Sequence, residues 1–235
     1  MTVGDRPWVM RMRWLDLLFA HWPLPVEVVQ GTLPAALEVD TYAGSAWVGA
    51  VPFEMAGVAP RGLPAVPRLS RFPELNLRTY VTCQGRPGIW FYALDAASWV
   101  TVEGARRWFH LPYLHASMSI QRDGEEIDYR SERTDDRGPG ATFRARYAPT
   151  GPVEIAAPGS LDDWLTARWR LFAMRPDGSV ERTEIRHRPW PLQPARVTLD
   201  AQAIAAASGL PLVGEPTHVR YSAALDVRAW WPRPA

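Results

Sequence analysis

The chain contains no lysine: all 26 of its basic side chains are arginine. Without a lysine amine no lysine imine can form between the protein and a carbonyl substrate, so lysine Schiff-base chemistry is excluded. A coding bias toward Ala, Pro, Arg and Gly at the expense of Lys and Asn accounts for the lack, and asparagine is almost as scarce, with Asn76 the single example. One cysteine, Cys83, rules out an intrachain disulfide and fits a reducing, cytoplasmic setting. Five scattered histidines beside that one cysteine form no zinc-ligand spacing, so neither a metal nor another cofactor is expected. No stretch approaches the roughly 20 apolar residues of a membrane span. Leu17-Leu18-Phe19-Ala20 is short, and Arg11, Arg13 and Asp16 break up its surroundings, so neither a signal peptide nor a membrane partner is expected. The formal net charge is +1 and the arginines are spread along the chain, which removes the clustered basic patch of a nucleic-acid binder. There is no G-x-S-x-G elbow, P-loop or G-x-G-x-x-G fingerprint, so the hydrolase-elbow, nucleotide-phosphate and dinucleotide readings lose their support.

Aromatic residues are abundant. Twelve Trp, seven Tyr and seven Phe in 235 residues supply large apolar area, and a chain of this length buries roughly 70% of its unfolded surface. Neither an internal repeat nor a composition break divides it, so a single domain over residues 1–235 is expected. Alternation and turn residues predict many strands and few helices. Strands are expected over Trp8 to Trp22, Ser45 to Phe53, Tyr113 to Arg122, Glu126 to Arg133, Thr142 to Tyr147, Trp169 to Met174, Val180 to His187 and His218 to Arg228. Met55 to Arg71, with three Pro and two Gly, reads as a loop. Helices are expected at Val26 to Gln30, at Ala96 to His110 with Ser98 as N-cap, after Ser160, and at the Ala-rich Ala201 to Ala207.

The most informative segment is Phe72 to Val81. It reads as a strand with Glu74, Asn76, Arg78 and Tyr80 at alternate positions, so those four side chains share one face. The turn Gln84-Gly85-Arg86-Pro87-Gly88 and the apolar run Ile89 to Leu94 complete a hairpin. An acid, an amide, a guanidinium and a phenol in a row form either a wet outer face or the polar floor of a pocket.

The stretches LLFAHWPLP (Leu17 to Pro25), AWVGAVPF (Ala46 to Phe53), FPELNLRTYV (Phe72 to Val81), PGIWFYALDA (Pro87 to Ala96), LPYLHASM (Leu111 to Met118), GSLDDWLTARW (Gly159 to Trp169) and HRPWPL (His187 to Leu192) resemble the YqjF-like family of uncharacterised bacterial proteins, distant relatives of acetoacetate decarboxylase. The resemblance implies an α+β, β-rich fold: a curved antiparallel sheet closing into a cone-like barrel around a pocket, with a few short helices. It also implies a homo-oligomer. In the decarboxylase and its enzyme relatives an imine-forming lysine lies shortly before a loop like Leu111-Pro112-Tyr113. Here that neighbourhood reads Arg106-Arg107-Trp108-Phe109-His110, with no amine. What the resemblance implies for this chain is the pocket and not the imine mechanism.

On that basis Glu74 is the candidate proton-transfer group, Arg78 the candidate anchor for a carboxylate or carbonyl, and Asn76 or Tyr80 the group that polarises an oxygen. Glu74 and Arg78 are expected to hold each other ionised or to bind a polar ligand. Tyr113 and His115, two apart on a strand, are expected to face the same pocket. His21 and His187 read as structural, and Cys83 as an inert buried thiol. Three functions compete: an enzyme acting without an amine intermediate on a small carbonyl- or carboxylate-bearing molecule, a ligand-binding or sensing module, and a scaffold whose interior is filled by side chains.

Overall fold

The computed structural model describes residues 6–67 and 69–235. The chain runs β1 (Met10–Leu24), α1 (Val26–Gln30), β2 (Glu38–Val39), β3 (Ala46–Pro60), β4 (Phe72–Cys83), β5 (Arg86–Ala96), α2 (Trp99–Phe109), β6 (Tyr113–Asp123), β7 (Glu126–Arg133), β8 (Thr142–Pro149) and β9 (Glu154–Ile155). It continues through α3 (Leu161–Thr166), β10 (Arg170–Met174), β11 (Val180–Arg186), β12 (Pro191–Gln202), β13 (His218–Ala229) and β14 (Arg233–Pro234). The strands form one 14-stranded sheet, antiparallel except where β5 lies parallel to β10 and to β6. Pairing closes a ring that passes from β10 through β11, β13, β1, β3, β4 and β5 back to β10.

The wall made of β1, β3, β4 and β5 has a core on each side, because successive side chains leave a strand on opposite faces. Outside the ring, Leu75, Leu77, Val48 and Ala50 pack on Tyr129, Phe143 and Tyr147. Inside it, Val51, Phe53, Phe91 and Leu94 meet Leu165, Ile185 and Trp190. Two irregularities set which residues face inward. Asp16, with φ at 53°, adds a residue to β1 where its pairing with β3 shifts register. The inward positions accordingly move from Met12 and Trp14 to Leu17 and Phe19. Asp16 is held there by Arg122 and by the Tyr221 hydroxyl at 2.6 Å. A register shift between Leu77 and Arg78 rephases β5, so Phe91 and Leu94 both point inward, while β4 keeps its alternation unbroken.

The β4–β5 turn needs only Gln84 and Gly85, with φ of 51° and 71°, the backbone twist of a two-residue hairpin. Strand pairing resumes at Arg86, so the expected five-residue turn is shorter than the sequence suggests. Strand β3 continues through its prolines to Pro60, and the loop expected from Met55 starts only after it. Both faces of β3 are covered as far as Met55, and burial outweighs the local breakers there. The Ala-rich helix expected over Ala201 to Ala207 is instead the end of β12 followed by a 3₁₀ turn at Ala206–Ser208. Pairing of Ala201 and Gln202 with β8 overrides their helical propensity. The α2 and α3 N-caps are as expected: Ser98 accepts from the Thr101 amide and Ser160 from the Asp163 amide, each at 3.3 Å.

Gly49 on β3 lies against the His21 ring, and a Cβ there would fall 2.5 Å from Nε2. Overpacking of this kind costs about 1–3 kcal/mol. Gly49→Ala is expected to lower the midpoint of thermal unfolding by several degrees, and an unchanged melt would show that the His21 ring yields freely.

Candidate functional site

Inside the ring lies a cavity of about 240 Å³, lined mainly by apolar side chains from β1, β3, β5, α2 and β11. Its mouth is at α2, where Val100 and Trp108 line the cavity and are also 59% and 56% exposed. Strand β4 contributes its polar row. Glu74, Asn76 and Arg78 all line the cavity and are buried, whereas the intervening Leu75 and Leu77 pack on the opposite face.

Glu74 is 2% exposed. The Tyr113 hydroxyl donates to its Oε1 at 3.0 Å, and Oε2 has no partner among the described residues. Burial pushes the carboxyl up to about 8, with the Tyr113 hydrogen bond opposing. Tyr113 is itself driven well above its ordinary value by burial and then by the nearby Glu74. Both groups are therefore neutral at neutral pH. Tyr113 occupies Oε1, so the carboxyl proton belongs on Oε2, the oxygen left for an occupant of the cavity.

Arg78 makes no ion pair among the described residues. Its Nη2 donates to the Tyr80 hydroxyl at 3.1 Å, its Nε has no partner, and its guanidinium lies 5.4 Å from the Phe19 ring and 5.6 Å from the Tyr80 ring. The expected mutual ionisation of Glu74 and Arg78 does not occur, because desolvation leaves Glu74 protonated and Arg78 turns toward Tyr80. On the far side of the wall, by contrast, buried Asp95 holds Arg133 at 2.9 Å. Arg168 also lines the cavity, but Asp40 neutralises it and the Trp164 ring lies 4.3 Å away. Arg78 is thus a buried cation facing a cavity without a counter-charge.

Tyr80 shares the face of Glu74, Asn76 and Arg78 but sits behind the cavity rather than on its wall. Its hydroxyl lies 2.7 Å from His21 Nε2. Burial, with help from Arg78 and His218, holds His21 well below its ordinary value, so the ring is neutral. Tyr80 then accepts from Arg78 and donates to Nε2, and His21 and Tyr80 together fix the guanidinium. Asn76 offers an Oδ1 with no partner.

Tyr113 reaches the cavity and His115 does not. Both residues still pair with β5, opposite Leu94 and Ala96, but His115 engages the turn after β7: its amide donates to Asp135 at 2.9 Å, and its Nδ1 lies 3.0 Å from the Thr134 hydroxyl. His187, expected to be structural, lines the cavity instead. Its Nδ1 donates to the Arg188 carbonyl at 2.7 Å, and burial keeps it neutral. Trp14, Trp190 and Thr166 also line the cavity. Trp190 and Thr166 lie in the HRPWPL and GSLDDWLTARW stretches, whose sequences do not show that they face inward; the Asp16 bulge and the ring closure bring them to Trp14. Among the described residues no cluster of His, Cys, Asp or Glu has the makings of a metal site, and no helix is long and apolar enough to cross a membrane.

The DUF2071 family, described as an uncharacterized conserved protein, matches residues 11–226. The uncharacterized protein YqjF of Bacillus subtilis is 42% identical over 229 residues, covering 97% of this chain and 93% of that protein. Among solved structures, acetoacetate decarboxylase from Legionella pneumophila aligns with a TM-score of 0.67 at 13% identity, over 97% of this chain and 87% of that one. An acetoacetate decarboxylase-like enzyme from Sphingomonas wittichii aligns at 0.66 with 14% identity, over 98% and 94%. The enduracididine biosynthesis enzyme MppR aligns at 0.67 with 11% identity, over 97% and 88%. At these identities the likeness establishes an acetoacetate decarboxylase-like fold.

Proposed function

The chain belongs to the DUF2071 family, and we propose that it is an enzyme that moves a proton on a small carbonyl- or carboxylate-bearing molecule, without a covalent amine intermediate. The observation that carries this reading is the pairing, on one strand face in one cavity, of an uncompensated Arg78 with a protonated Glu74. Arg78 binds the anionic or carbonyl oxygen of the substrate through a charge-assisted hydrogen bond. The Asn76 amide polarises a neighbouring oxygen. Glu74 gives the proton of Oε2 to the reacting centre and takes one back as the carboxylate, a role that suits a group with its pKa near the working pH. His21 and Tyr80 keep Arg78 aimed. Tyr80 therefore acts through Arg78 rather than on the substrate. With no lysine in the chain, none of these steps has a lysine-imine alternative.

The test is a turnover screen. Carbonyl-bearing acids that raise the melting temperature are incubated in heavy water and followed by proton NMR for exchange or conversion at the carbon next to the carbonyl. Turnover is expected to fall as pH rises through about 8, where Glu74 loses its proton. In Tyr113→Phe the carboxylate loses a hydrogen-bond donor worth about 1–2 kcal/mol, which moves that descent upward by about one pH unit. Ligands that bind without exchange or conversion would leave a binding module. A descent that stays put in Tyr113→Phe would remove Glu74 from the proton-transfer role.

A further inference from the structure

We propose that the molecule held in this cavity is a small aryl carboxylate, with its carboxylate on Arg78 and its ring among Trp190, Trp14 and Phe53. The inference rests on the reading of Arg78 as an anion anchor and adds the nature of the ligand's apolar body.

Three observations carry it. The first is the composition of the wall. Next to the guanidinium, Phe19 lies 5.4 Å away, and Trp190 meets Phe19 edge-on at 4.9 Å. Trp14 stacks on Trp190 at 5.7 Å and meets Phe53 edge-on at 5.8 Å. Trp190, Trp14 and Phe53 all line the cavity, so an aromatic surface begins one ring away from the cation. A ligand that touches both needs its carboxylate and its ring separated by no more than a short linker. Aromatic rings packed against aromatic walls gain about 0.5–1.5 kcal/mol beyond the area they bury. Met10, Met12 and Met55, also in the lining, add favourable sulfur–ring contacts.

The second observation is size. An apolar cavity of roughly 150 Å³ admits benzene. The 240 Å³ available here therefore takes one six-membered ring together with a carboxylate and a carbon or two. The third is polarity. The buried Nε1 of Trp14 has no hydrogen-bond partner among the described residues. An indole N–H left dry in this way finds a weak acceptor in the π face of a ring, which an aliphatic chain does not offer.

Isothermal titration of the full chain with phenylacetate, cyclohexylacetate, acetate and phenylacetamide tests the proposal. Phenylacetate is expected to bind about fivefold tighter than cyclohexylacetate, about fiftyfold tighter than acetate, and at least tenfold tighter than the neutral amide. If cyclohexylacetate or acetate matches phenylacetate while the amide stays weak, the aryl assignment is overturned and the Arg78 anchor stands. If the amide matches the acid, the anchor itself is wrong. Saturable binding by none of the four overturns both. Ala105→Phe, which fills the cavity from α2, is expected to bring phenylacetate down to the affinity of acetate. Undiminished phenylacetate binding by a variant with a normal melt places the ring elsewhere and overturns the proposal.

Discussion

Arg78→Met is expected to weaken the binding of anionic ligands by about a hundredfold and to leave the fold as stable as before, or more so. The two halves of that outcome have one cause. A cation taken out of water without a counter-charge costs several kcal/mol even after relaxation. Arg78 is 6% exposed, and its side chain recovers only a hydrogen bond to Tyr80 and two ring contacts. Hydrogen bonding from a charged group returns about 1.5–3 kcal/mol, and each cation–π contact about 0.5–2. Methionine fills the same space without the desolvation cost, and Tyr80 keeps its hydrogen bond to His21. A ligand carboxylate, by contrast, meets the guanidinium in a dry site, where losing one partner of a charge pair costs about 2–5 kcal/mol. Thermal unfolding and titration with a matched acid and amide read both halves. A structural arginine would give the reverse pattern, with a melt lowered by many degrees and equal losses for charged and neutral ligands.

The part of the site that was legible in the sequence is the part carried by one strand. Period-two alternation in Phe72 to Val81 puts Glu74, Asn76 and Arg78 on a common face, and β4 has no bulge to spoil it. The same reasoning applied to Tyr113 and His115 fails although both still pair with β5, because Asp135 and Thr134 in the turn after β7 take up the His115 amide and ring. Trp14 and Phe19 both face inward although they are five apart, which only the extra residue at Asp16 permits. A left-handed aspartate in mid-strand leaves no clear local signature, since its cause is tertiary: the Arg122 and Tyr221 side chains that hold it come from other strands. His187 and Trp190 enter the cavity because β10 and β11 close the ring, a long-range event to which HRPWP contributes no periodicity. The strand-rich fold itself was legible, since aromatic and β-branched alternation recurs between turn residues. The exact ends of β3 and β12 were not, because burial on both faces and pairing with β8 outweigh proline and alanine propensities there.

Glu74→Gln is expected to abolish turnover, to leave ligand affinity within a few fold, and to make the protein more stable at neutral and alkaline pH. The sign of the stability effect follows from linkage. The carboxyl ionises at about 8 in the folded chain, against a reference value of 4.5. Between those limits the folded state keeps a proton that the unfolded state has released, so stability falls as pH rises. Stability contributed by the neutral acid is whole below about 4.5 and is lost by the time pH passes about 8. A raised pKa of this size corresponds to a loss on the order of 4 kcal/mol across that window. Glutamine has the shape and neutrality of the protonated acid but cannot titrate. The variant should therefore match the parent in acid and gain on it steadily toward pH 8, which differential melts across that range will read directly. A constant offset at all pH values would mean that Glu74 is already ionised at neutral pH, paired with a charge supplied from elsewhere. A buried acid whose pKa is raised this far costs stability toward alkaline pH, and under the proposed function the proton it holds for a bound molecule is what offsets that cost.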